Sequence, residues 1–145
     1  MIKLALIVSS LFVFSSLAMA HEGHQHPEPS QPITTPDEVC SDQTQNLCAH
    51  IHFYKTPNTT EESTFVFHVE SDSDEELNQL TLDLWMDMGA GHGHGSAPLA
   101  LERIGKNKYK VTNAWFVMMG AWQVRANFNL DHQNYSLIIP VNIYK

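Results

Sequence analysis

Residues 85–96 read WMDMGAGHGHGS, and within them Met86, Met88, His92 and His94 fall inside nine positions. Thioether sulfur is a soft donor that favours Cu(I), while imidazole accepts Cu(I), Cu(II) or Zn(II). Thioethers cannot be lost to disulfide formation, which suits methionine to copper in an oxidising space. Four interspersed glycines make the backbone compliant, so that side chains of one short loop can converge on a point. A second pair, Met118-Met119, stands just before Gly120-Ala121-Trp122. If the two segments lie at the same end of the domain, that pair can complete the site. The same residues also admit a packing role. Met86 shares parity with Leu80, Leu82 and Leu84, strand alternation turns one of Met118 and Met119 inward, and Gly-His repeats also occur in solvated loops.

Two further histidine groups add donors to a chain with 9 His and 6 Met. His21, His24 and His26 form the first, and a free α-amino group on His21 would chelate Cu(II) together with its own imidazole. The prolines that follow argue against a fixed geometry, leaving a loose tail that captures copper or zinc, or a solvated spacer. His50, His52 and His68 form the second group, on the polar parity of two successive strands. In a hairpin across residues 57–61, His52 and His68 can stand opposite one another at about 5 Å between Cβ atoms, close enough to share a metal. The alternative is a solvated sheet face that happens to carry histidines.

The elements that position these residues follow from the rest of the chain. Residues 1–20, MIKLALIVSSLFVFSSLAMA, carry a positive Lys3, a short serine-broken apolar run and a small-x-small ending at Ala18-Met19-Ala20, the pattern of a cleaved signal peptide. The run is short for a membrane span and no basic stop follows it, so no span is expected in the mature chain. The protein is therefore expected in the periplasm. Residues 21–39 are rich in His and Pro with almost no apolar side chain, a flexible tail that cannot bury a core. The folded domain is expected over residues 40–145. Cys40 and Cys48 are the two cysteines, and in an oxidising compartment they most simply pair.

Within the domain, apolar and polar residues alternate at period two in about seven runs. The clearest sets Trp122, Val124, Ala126, Phe128 and Leu130 against Gln123, Arg125, Asn127 and Asn129. Turn-forming segments at 57–58, 105–107 and 131–134 separate the runs. No stretch carries a helical period. About seven antiparallel strands in some hundred residues predict an all-β, immunoglobulin-like sandwich, with a small barrel as the alternative. Pro140 cannot donate a ladder hydrogen bond, which places the last strand at an edge or gives it a bulge.

The run from Trp85 to Leu130 resembles the YtkA-like and FixH-like group of small exported bacterial proteins. The matching features are Met86-Asp87-Met88-Gly89 with His92 and His94, then Lys108-Tyr109, then Phe116-Val117-Met118-Met119-Gly120-Ala121-Trp122. Ala90-Gly91 before the first histidine, and the second loop histidine, depart from the group's pattern. The resemblance implies an immunoglobulin-like sandwich and periplasmic copper handling. Partners would be the copper ion and a copper-dependent oxidase or a copper efflux or assembly protein.

The charge balance narrows the function classes. With 8 basic and 16 acidic residues the formal net charge is −8, which offers no basic face for nucleic acid. No Ser-His-Asp set, nucleotide loop or paired-carboxylate site stands out, so an enzyme is not expected. Asp72, Asp74, Glu75 and Glu76 read as a solvated turn. The leading expectation is a periplasmic copper carrier, chaperone or buffer using Met86, Met88, His92, His94 and Met118 or Met119. The alternative is an extracytoplasmic accessory domain that binds a protein partner without metal.

Overall fold

The computed structural model describes residues 38–44 and 46–144. The expected signal peptide, most of the tail, and His21, His24 and His26 lie outside the described residues. Among those residues there is no helix, and nine strands account for the regular structure: β1 (Glu38–Cys40), β2 (Cys48–Phe53), β3 (Ser63–Glu70), β4 (Asn78–Gly89), β5 (His92–Gly95), β6 (Ala100–Gly105), β7 (Lys108–Ala114), β8 (Gly120–Leu130) and β9 (Gln133–Ile143). Seven match the alternating runs; β1 and β5 are additions.

The strands form two antiparallel sheets, β1-β2-β3-β7-β6 and β5-β4-β8-β9. Without β1, this is the order in which immunoglobulin domains pair strands A-B-E-D against C′-C-F-G. The chain is an all-β sandwich with that connectivity. Alternation explains the faces. Ala49, Ile51, Phe65, Phe67, Val69 and Val111 point inward from one sheet, and Leu82, Leu84, Trp122, Val124, Phe128, Leu137, Ile139 and Val141 from the other. Phe116 sits under Trp122 with its ring edge-on, centroids 5.5 Å apart.

Tight turns fix the register. The β8–β9 hairpin closes through Asp131 and His132, both at positive φ, as the right-handed strand twist favours. Its ladder runs unbroken from Leu130↔Gln133 to Gly120↔Ile143. Pro140 lies in β9, an edge strand, where its missing N–H costs no ladder bond. Asn107, buried at the β6–β7 turn, accepts the Leu77 N–H on its side-chain oxygen at 2.7 Å and the Val69 N–H on its carbonyl at 2.9 Å. Cys40 and Cys48 face each other across β1 and β2 and form a disulfide, which ties the first strand to the sheet.

Candidate functional site

The glycine-rich segment is a paired hairpin rather than a compliant loop. β4 and β5 pair with Trp85↔Gly95, Met86↔His94, Asp87↔Gly93 and Gly89↔His92, around a two-residue turn at Ala90-Gly91. Ala90 and Gly91 have φ of 50° and 78°, the type I′ combination. A register shift between Asp87 and Gly89 accommodates Met88, and the Asp87 carboxylate holds the bulge by accepting the Gly89 N–H at 2.8 Å.

Directly opposed residues of an antiparallel pair share a face. Met86 continues the inward parity of Leu82 and Leu84, so its partner His94, and His92 two residues away, project from that same inner face. They do so at the open end of the sandwich, where the core gives out. Met86 is half-buried against the core while Met88 is 57% exposed, and both histidines are exposed. Gly93 and Gly95 take the outer parity, and Gly93 has a specific task there. The Trp85 indole lies across it, and Arg125 stacks on the indole at 4.6 Å while pairing with Asp83 through both guanidinium arms.

The second methionine pair arrives at the same end. The terminal methyl of Met86 rests against Gly120, where any side chain would collide with it. Met118, two residues earlier, is half-buried against the core, and its carbonyl accepts the Trp122 indole N–H at 2.9 Å. Met119 points out, 55% exposed. Six residues singled out from the sequence, Met86, Met88, His92, His94, Met118 and Met119, thus belong to two adjoining segments at one end. Gly120, which brings those segments together, is a seat the sequence alone did not identify.

The β2–β3 hairpin forms, but with a different pairing from the expected one. His50, not His52, stands opposite His68, and His52 stands opposite Val66. The nine-residue connection sets this register, which period-two alternation cannot fix. The His50 and His68 ring centroids are 6.1 Å apart. Glu70, on the same outer parity, reaches both imidazoles: 3.6 Å to His50 Nε2 and 3.6 Å to His68 Nδ1. Burial first, then the Lys108 charge, holds the His68 pKa below the ordinary imidazole value. Glu38, Cys40 and Cys48 also cluster, but the two sulfurs there are joined in the disulfide. A surface cleft of about 390 Å³ lies on this sheet's outer side near Tyr54, Glu61, Thr64 and Lys110, lined by none of the methionines or histidines.

No protein-family model, curated protein or solved structure matches the chain.

Proposed function

We propose that the chain is an exported copper-binding protein of the YtkA-like and FixH-like kind, which carries or buffers Cu(I) at the open end of the sandwich. The observation that carries this reading is the β4–β5 register, which pairs Met86 with His94 across the hairpin while the Met86 methyl lies on Gly120, the residue that follows Met118 and Met119 in the chain. Soft sulfur selects the reduced ion, and imidazole supplies a compatible borderline donor. Half-buried Met86 and Met118 would anchor the ion, whereas exposed Met88, Met119, His92 and His94 would let a partner's ligands exchange in. In this reading the domain is a carrier and not an enzyme. It works in the periplasm, and hands copper to an oxidase, efflux or assembly partner.

The test replaces sulfur while keeping volume. Met→Leu is nearly volume-conserving and costs under about 1.5 kcal/mol when buried. A Met86→Leu, Met88→Leu double variant should stay folded, yet lose at least tenfold in Cu(I) affinity when substoichiometric copper is competed against a chromophoric Cu(I) chelator. Equal competition by parent and double variant would make the methionines packing residues alone. The exposed Trp115, Val117, Met88 and Met119 favour a second reading, a metal-independent partner surface. Partner capture unaffected by copper removal would support it.

A further inference from the structure

On the outer face of the five-stranded sheet, toward the opposite end of the sandwich, a second group of donors converges. One row crosses four strands as Glu38↔His50↔His68↔Lys108, and the next as Cys40↔Cys48↔Glu70. Glu70 therefore sits diagonal to His50 and two residues beyond His68, and extends one oxygen toward each ring. Neither approach is a hydrogen bond, since both are 3.6 Å. His50 Nε2 is shut off from solvent and has no hydrogen-bond partner, an unusual state for a polar atom.

We propose that His50, His68 and Glu70 form a second metal site, for a borderline divalent cation such as Zn(II), with Glu38 available as a fourth ligand. The site is independent of the methionine end and contains no thioether. Two donors bound to one tetrahedral zinc at about 2.0–2.1 Å stand about 3.3 Å apart. The nitrogen–oxygen separations of 3.6 Å lie near that value, one on each Glu70 oxygen. No choice of one donor atom from each of His50, His68 and Glu70 puts all three within 4.8 Å of one another, so the side chains must turn to close on an ion. Bound metal would satisfy the orphaned His50 nitrogen and use both Glu70 oxygens, or one of them with Glu38. His50 and His68 are on neighbouring strands held in register by a continuous ladder, so the backbone positions are fixed and only the side chains need to turn. The neutral imidazole is the ligating form. Lys108, beyond His68, opposes a bound cation, which gives the site a second handle.

The experiment uses the full chain and Zn(II) alone, followed through the histidine ring carbon–proton resonances, with His50→Gln used for assignment. Reading the individual rings separates this site from zinc taken up by other histidines. The His50 and His68 rings should shift together and saturate at one equivalent of zinc for this pair. Glu70→Gln, an exposed change that leaves the fold intact, should weaken that event at least tenfold, and Lys108→Gln should tighten it. Rings that shift independently or stay unmoved, or an affinity indifferent to both Glu70→Gln and Lys108→Gln, would overturn the proposal.

Discussion

Gly93→Ala tests the hairpin without touching a candidate ligand. A Cβ at position 93 would overlap two atoms of the Trp85 indole and lie 2.6 Å from the Met86 carbonyl oxygen. The indole can swing away, but only by leaving the Arg125 guanidinium, worth about 0.5–1 kcal/mol at an exposed site. The carbonyl belongs to the ladder and cannot move alone, so β5 must shift or detach. Overpacking of this kind costs about 1–3 kcal/mol, and the free energy of docking β5 sets the ceiling, because fraying relieves the strain. Gly95→Ala is the control. Its Cβ would meet the nearest atoms at 3.8 and 3.9 Å, ordinary contact distance, and removing a strand glycine gains about 0.5–1 kcal/mol. The two variants should differ by about 2 kcal/mol, and by at least about 5 °C in Tm for a domain of this size. Thermal unfolding and amide exchange over His92–Gly95 measure both effects. If Gly93→Ala melts with Gly95→Ala and keeps its β5 protection, Gly93 is not the seat of Trp85 and the hairpin geometry is wrong.

Ala90 holds a left-handed conformation, which costs an L-residue roughly 1–2 kcal/mol and asparagine less, so Ala90→Asn should slow amide exchange in β5. Reducing the Cys40–Cys48 bond, whose partners are 8 residues apart, should lower stability by about 2.5 kcal/mol on the chain-entropy estimate, read as a lower denaturant midpoint. His68 has its folded pKa depressed by burial and by Lys108, against a partial offset from Glu70 and a further lowering from His50. Its contribution is complete above the unfolded imidazole value and is lost as pH falls through the folded pKa. In the metal-free protein, Tm should therefore drop more steeply below about pH 6.5 in the parent than in His68→Gln; equal slopes would refute this.

Parity was legible in the sequence, and partnership was not. The alternation from Trp122 to Leu130 marks a half-buried strand, and each of those apolar residues is buried. Strand β5 escaped because His-Gly-His-Gly has no β-branched or apolar side chain to signal it. Its strand character comes from a neighbour: Trp85 needs the bare backbone of Gly93 to lie on. The His50–His68 pairing escaped for a related reason. Both residues were visibly on the polar parity, but a register is decided by turn geometry and by the whole set of cross-strand contacts. Glu70 shares that parity and sits two positions past His68, so its place beside the pair was readable once the hairpin was drawn.

The methionines occupy the positions where packing gives way to solvent, and this explains why their sequence admits both a core and a ligand role. Toward the end of β4, Leu84 is 1% exposed, Met86 is half-buried and Met88, in the bulge, is 57% exposed. Approaching β8, Phe116 is buried at 1%, Met118 is half-buried and Met119 is 55% exposed. At such a margin an unbranched thioether fills irregular space and keeps a polarizable donor toward the open side. A leucine would match the packing and offer no lone pair; a histidine at position 86 would bury a polar ring against Gly120 and the core. Packing fixes where Met86 and Met118 stand, and the chemistry proposed for them depends on the sulfur that packing does not require. That separation is what allows Met→Leu exchange to remove one role while leaving the other in place.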